Sequence, residues 1–236
     1  MLQCGLGLFS EKMAPLRVLV TGFGSFPDAR SNPTALLVHA LGGHQARLAR
    51  LGIKLELCIL PVDYAKAARK LEELDEMLKP DAIVHFGLAA RRTFISIETR
   101  ALNRLSQLHC DASGGRAPSR AILPGAPDAT RATFPARQID AAFRRNRLSC
   151  RLSQNPGDYV CNEVLYLSLA RSPARAIGFI HVPRLARADR PIGASRRRPD
   201  LAGLTRAALI AIFVTARKLR QDLARDLARV WQASGA

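Results

Sequence analysis

No two cysteines in this 236-residue chain are spaced as a CxxC pair, and the five present (Cys4, Cys58, Cys110, Cys150 and Cys161) are odd in number. A disulfide scaffold and a structural zinc site are therefore not expected, and in a reducing compartment a lone thiol stays free for chemistry. Aromatic residues are only 6% of the chain. They are not interleaved with the basic residues as a single-strand nucleic-acid surface requires, and no zinc-finger or RNP-like pattern occurs. The longest apolar run near the C-terminus, Ala207 to Ala216, falls short of the ~20 residues that span a bilayer. The first twelve residues, MLQCGLGLFSEK, have no basic residue ahead of their short apolar stretch, which makes a poor signal peptide. These absences point to a cytoplasmic protein with no membrane segment. Residues 1–14 read as an N-terminal extension, untranslated or disordered, with Met13 an alternative start, and residues 15–236 as one domain.

Acidic residues are also scarce, 19 against 36 Lys plus Arg, for a formal net charge of +17. Of the 36, 30 are Arg and six are Lys. Two readings stand: an Arg-rich compositional background, or a basic surface that binds polyanions by releasing counterions. Most arginines are scattered (Arg47, Arg69, Arg100, Arg144, Arg217). Residues 184–198, RLARADRPIGASRRR, concentrate six arginines against one aspartate. That segment is either a solvated loop or an electropositive rim for acidic peptides or nucleic acid, nucleic acid being the less favoured partner.

What is present is enough apolar residue, 48%, to bury a core. Residues 16–21 (LRVLVT) read as a buried strand, followed by the turn-rich GFGSFPDARS. Asn32 is placed to cap a helix beginning with Pro33, where a missing N–H does no harm. Residues 53–60 alternate as a strand, and Asp63 caps a helix to Lys79 with Leu71, Leu74 and Leu78 on one face. Residues 82–87 and 94–98 read as strands, and 111–135, rich in Gly, Pro and Ser, as a long surface loop. Helices over 138–147, 159–170 and 200–231 and a strand over 176–182 complete the pattern. The expected architecture is a single α/β domain with a mostly parallel twisted sheet and helices on both faces.

In such sheets ligands gather at the carboxyl ends of strands and the amino ends of the following helices. Cys161 opens the helix over 159–170, with Asp158 as its expected N-cap, and helix-terminal amides favour a thiolate. His181 ends the strand AIGFIHVP and Glu98 ends FISIE. Cysteine, histidine and carboxylate form the set for nucleophilic acyl transfer, in which thiolate attacks, imidazole moves the proton and carboxylate fixes the imidazole tautomer. Spacing alone leaves open that His181 is a structural residue. Cys58 and Cys150, in or beside strands, read as inert, and His109-Cys110 as exposed surface. His39, His44 and His85 lack the acidic or thiol neighbours of a metal site. A dinucleotide loop is disfavoured because Gly22-Phe23-Gly24 lacks the third glycine of that fingerprint.

Four stretches, LVTGFGSFPDARSNPT, GLAARRTFISIETRALN, SQNPGDYVCN and GFIHVP, resemble in order the motifs of the pyroglutamyl-peptidase I (pyrrolidone-carboxylate peptidase) family, over about Leu16 to Pro183. The resemblance implies a phosphorylase/hydrolase-like three-layer sandwich and a metal-independent, cofactor-free cysteine peptidase that removes an N-terminal 5-oxoproline from peptides. By position it implies Cys161 as nucleophile, His181 as general base and then acid, and Glu98 as third member. It also implies Phe23, Phe26 and Asn32 around the lactam ring, backbone groups at Leu88 and Val160 bonding it, and Arg92 near the oxyanion. A small neutral planar ring needs such apolar walls with two placed backbone partners, although Phe23 and Phe26 also read as core beneath the loop. Homotetramers are common in the family. The chain departs from the pattern at Ser25, Ala90, Arg91, Thr99, Pro156 and Arg184, so altered peptide preference or low turnover is one outcome. The other is a catalytically weak member that binds acidic partners through its arginines.

Overall fold

The computed structural model describes residues 14–26, 30–172, 175–186 and 198–234. Residues 1–13 of the expected N-terminal extension and the arginines at 187, 190, 196 and 197 lie outside the described residues. Six strands form the main sheet: β1 (Leu16–Phe23), β2 (Ile53–Leu60), β3 (Ala82–Leu88), β4 (Ile95–Glu98), then β7 (Cys150–Ser153) and β8 (Ala176–Val182), in the order β2-β1-β3-β8-β4-β7. Two short strands, β5 (Arg100–Leu102) and β6 (Ala129–Arg131), pair separately and antiparallel. The sheet is mostly parallel; only β4 and β8 pair antiparallel.

The apolar pattern explains the order. Every residue of β8 is buried, and all of β3 but its last, because helices cover both faces of a central strand. The edges are β2, whose burial alternates at its start, and β7, only four residues long with two of them exposed. Helices α1 (Pro33–Gly42), α2 (Gln45–Arg50), α4 (Ala136–Arg145) and α6 (Leu201–Ser234) lie on one face, and α3 (Tyr64–Leu78) and α5 (Val160–Arg171) on the other. On the first face Leu204, Ala208, Ala211 and Ile212 of α6 pack against Val84, Ile97, Ile180 and Val182 of the strands. Their spacing of three and four is the helical stripe that turns one side of α6 to the sheet. Each large aliphatic residue so buried contributes ~1.5–3 kcal/mol. Among the described residues no helix is long and apolar enough to cross a membrane.

Local signals set the helix starts. Asn32 Oδ1 accepts from Thr34 N at 3.1 Å ahead of Pro33, and Asp63 Oδ1 accepts from Lys66 N at 2.9 Å ahead of α3. At α5 the expected cap is displaced: Tyr159, in extended conformation, is the N-cap residue and makes no side-chain capping bond. Asp158 is held instead through its carbonyl, which accepts from Ser106 N at 2.8 Å. Residues 111–135 are largely without regular structure, as expected, apart from β6. Asp111 pins this segment, its Oδ1 accepting from Ser113 N and Gly115 N and its Oδ2 from Tyr64 N.

Candidate active site

The α5 helix runs down to the start of β8, so its N-terminus lies at the carboxyl edge of the parallel strands. Cys161 occupies its first turn. The following Asn162 fastens that turn to the chain above: its Oδ1 accepts from Leu102 N at 2.9 Å, and its Nδ2 donates to Leu102 O at 2.7 Å and Arg104 O at 2.9 Å. Beneath the sulfur, β3 carries Gly87. A Cβ built there would lie 2.9 Å from Cys161 Sγ and 2.5 Å from Phe179 Cζ, so only glycine admits the thiol and the ring together.

Gly87 pairs with His181 on β8, which puts the imidazole on the neighbouring strand, 5% exposed. The ring packs against Phe179, the centroids 4.6 Å apart and the planes tilted by 44°. His181 Nδ1 and Glu98 Oε1 are 2.9 Å apart, and Arg92 Nη1 donates to the same oxygen at 2.8 Å. Glu98 is fully buried. Burial alone raises its pKa; the hydrogen bond and charge of His181, with the nearby Ser153 hydroxyl and the Arg92 hydrogen bond, more than reverse this and hold it below the usual carboxylate range. The carboxylate is thus ionised, so Nδ1 is the protonated ring nitrogen and Nε2 is left for the thiol.

Sequence reasoning placed Glu98 at a strand's carboxyl end, and it does end β4. But β4 runs antiparallel to β8, pairing Ser96 with His181 and Glu98 with Phe179. Glu98 therefore reaches the imidazole as its diagonal neighbour on one sheet face, not from the rim where Cys161 sits.

The thiol itself differs from expectation. Burial, and then the Glu98 charge, push its pKa up to about 12, against a smaller lowering by its own backbone N–H. Desolvation beside an anion thus works against the thiolate that the helix terminus favours, although Cys161 as a residue is only half-buried. Among the described residues no hydrogen bond joins Cys161 to His181.

Cys161 borders a small pocket of about 40 Å³, lined with it by Phe23, Phe26, Asn32, Leu88 and Val160, together with Val62 and Tyr159. The six pocket positions drawn from the sequence thus divide five to one, with Arg92 apart, on Glu98 and, through Nη2, on Asn155 O at 2.9 Å. Phe23 serves both of the roles weighed for it, packing in the core with Leu19 and Val164 while walling the pocket. Asn32 also does more than face the pocket: its Nδ2 donates to Gly24 O at 2.9 Å and its Oδ1 accepts from Thr34 Oγ1, closing the first loop on itself. Tyr159 was legible as part of YVCN; Val62 was not, because β2 pairing beside β1 alone brings it there.

The family departures are mild in place. Ser25, Arg91 and Arg184 are exposed, Pro156 is buried, and Thr99 donates through Oγ1 to Ser153 O at 2.9 Å on β7. Cys58 lies within β2, Cys150 is buried at the start of β7, and Cys110 is exposed. His85, unremarkable in the sequence, is fully buried, with Nδ1 2.8 Å from Thr21 Oγ1 and Nε2 2.9 Å from Ser168 Oγ. Ser168 donates its proton to Val164 O, so His85 donates from Nε2 and accepts at Nδ1, and burial lowers its pKa to about 3. Glu163, two residues past the thiol, is 7% exposed, and its Oε2 has no partner among the described residues. Among the described residues no group of three or more His, Cys, Asp or Glu is arranged to hold a metal.

Known proteins resemble this arrangement over most of the chain. The pyroglutamyl peptidase family model matches residues 16–212. The pyrrolidone-carboxylate peptidase of Pyrococcus furiosus is 37% identical over 172 residues, covering 71% of this chain and 81% of that protein. Its namesake from Chromobacterium violaceum is 33% identical over 168 residues, 71% of this chain and 78% of that one. The solved pyrrolidone carboxyl peptidase of Thermococcus litoralis superposes with a TM-score of 0.77 at 27% identity, covering 88% of this chain and 96% of that chain. That of Thermus thermophilus gives 0.73 at 32% identity, with 83% and 98% covered.

Proposed function

Because this chain belongs to the pyroglutamyl peptidase family, we propose that Cys161, His181 and Glu98 carry out the hydrolysis of the amide bond after an N-terminal pyroglutamyl residue. The protein is a cysteine peptidase of the exopeptidase kind. One observation carries the assignment of residues: Cys161 borders a small, mostly apolar pocket beside β8, whose His181 pairs with Glu98 of the neighbouring β4.

The ring enters between Phe23 and Phe26, with main-chain groups at Leu88 and Val160 for its C=O and N–H. With its pKa raised, the thiol passes its proton to His181 Nε2 as sulfur attacks the scissile carbonyl. The imidazolium formed is stabilised by Glu98, whose own charge is held by Arg92. The tetrahedral adduct collapses to a thioester as His181 gives its proton to the leaving amine. Water, deprotonated by the same nitrogen, then releases pyroglutamate and restores the thiol. No step calls on a metal or cofactor.

Release of a chromophore from a pyroglutamyl amide tests this. Wild type should turn over, and Cys161→Ser and His181→Ala should lose activity while keeping the wild-type circular dichroism. A folded wild type that releases nothing would overturn the assignment. A cytoplasmic location and homotetrameric assembly belong to the same reading, the latter testable by light scattering on the purified chain. Nothing in the fold or the relatives favours the alternative of a catalytically silent, arginine-rich binding protein.

A further inference from the structure

A second opening lies at the same end of the sheet on its opposite face. A cleft of about 380 Å³ is bounded by Ile95 at the start of β4, Arg147 after α4, Ala186 after β8, and Arg198, Asp200 and Arg206 at the start of α6. Ala186 N donates to Pro199 O at 3.1 Å, which fixes these two walls relative to each other.

Three arginines therefore line one cleft. None of the three makes an ion pair or side-chain hydrogen bond with a described residue. The acidic group among them, Asp200, is committed: its Oδ1 accepts from Gly203 N at 2.7 Å as the cap of α6. The positive end of that 34-residue helix adds to the same field. Arg147 stands just past the end of α4 at φ 57°, in the left-handed region that favours glycine. The chain thus carries an arginine where its backbone would be easier without a side chain. Three like charges around a single carboxylate leave an excess of positive charge that repels itself, and planar guanidiniums match oxyanions in two-point geometry.

We propose that this cleft is an oxyanion subsite, taking a carboxylate or phosphate group on Arg147, Arg198 and Arg206. Two sources share that chemistry: an acidic residue in the downstream part of a peptide substrate, and a free phosphate compound. The first rests on the peptidase reading; the second does not. Ile95 adjoins Ser96, the residue paired with His181, but faces the other side of the sheet with Ile97 and Val182. A peptide leaving Cys161 must cross the rim of the sheet to arrive there. At ~3.3 Å per extended residue, an acid four positions past the scissile bond reaches on the order of 13 Å.

The test uses the whole chain, at fixed ionic strength because exposed charges are screened by salt. Pyrophosphate binding is measured by calorimetry, and pyroglutamate release from pyroglutamyl-Ala-Ala-Ala-Asp-amide is compared with the Asn-amide counterpart. Two variants are used, Arg198→Gln/Arg206→Gln and Arg147→Gly; the second suits the local backbone and guards against misfolding. Both should keep wild-type activity on a small pyroglutamyl amide. Pyrophosphate affinity, the preference for the Asp peptide, or both should fall about tenfold in each, the loss of roughly one charge-assisted contact. A change in the peptide preference alone assigns the ligand to the substrate; a change in pyrophosphate affinity alone assigns it to a free phosphate compound. If neither ligand distinguishes wild type from either variant, the subsite is overturned. A wild type that binds pyrophosphate through these arginines but hydrolyses no pyroglutamyl amide would sink the peptidase reading and leave the subsite standing.

Discussion

Nδ1 of His181 lies 2.9 Å from Oε1 of Glu98, although the two residues are 83 positions apart and sit on antiparallel strands. Arg92 shares that oxygen from six residues away. The carboxylate is therefore held ionised inside the sheet and fixes the imidazole with Nε2 free for the thiol. Glu98→Gln should keep the fold but lower kcat by about two to four orders of magnitude, since a neutral amide neither stabilises the imidazolium nor enforces its tautomer. Arg92→Lys, which cannot span Glu98 and Asn155 O together, should cost about tenfold. Steady-state turnover of a pyroglutamyl amide reads both, and a Glu98→Gln enzyme within threefold of wild type would contradict the role given to the carboxylate.

Gly87 is the tightest point of the site. Gly87→Ala places a methyl group against Phe179 Cζ and Cys161 Sγ, so the sulfur or the ring must move. The expected cost is about 1–3 kcal/mol of stability, read in a denaturant melt. Turnover should fall further than stability, while thiol labelling of Cys161 rises as the sulfur is pushed toward the pocket.

The buried His85 makes folding sensitive to acid. Its folded pKa is about 3 against an ordinary value of 6.5. Between those values the unfolded chain holds the extra proton, so stability is full above pH 6.5 and declines as pH falls toward 3. Its share of the slope is roughly 1.4 kcal/mol per pH unit inside the window. His85→Gln starts less stable because it loses the bonds to Thr21 and Ser168, but its stability should vary less with pH between 6.5 and 3. Urea melts across that range give the two slopes.

Glu163 acts in the opposite direction. Burial, then the charges of Asp63 and Asp111, raise its pKa from 4.5 to about 8. From pH 4.5 to 8 the folded state holds the extra proton, so this group's contribution falls as pH rises through that window. Glu163→Gln, of the same shape and permanently neutral, should be more stable than wild type at pH 8 and little different at pH 4. Thermal melts at the two pH values check the sign.

Much of the molecule was legible before any coordinates. The strands at 53–60 and 176–182 and the caps at Asn32 and Asp63 follow from apolar period and short-range hydrogen bonding, which neighbouring residues settle among themselves. β5 and β6 were missed, because three-residue strands carry no period and form only against each other. The Asp158 cap failed because the loop above α5 takes that residue's carbonyl and leaves Tyr159 to start the helix. In the site, five of the six expected pocket residues border one pocket with Cys161, His181 pairs with Glu98, and Arg92 turns from the pocket to the carboxylate.

The sequence by itself determined the alternation of strands and helices, the thiol at the head of α5 and the family to which the chain belongs, because these rest on residue identity and short-range order. Tertiary structure decided the rest. Strand direction made Glu98 a diagonal partner of His181, close approach over Gly87 set the place of the sulfur, and desolvation beside an anion pushed the thiol pKa up. Burial likewise made His85 a neutral hydrogen-bond bridge, and the meeting of three distant segments gathered Arg147, Arg198 and Arg206 into one cleft. Each depends on distances between residues far apart in the chain, which only the packing of the sheet and its helices fixes.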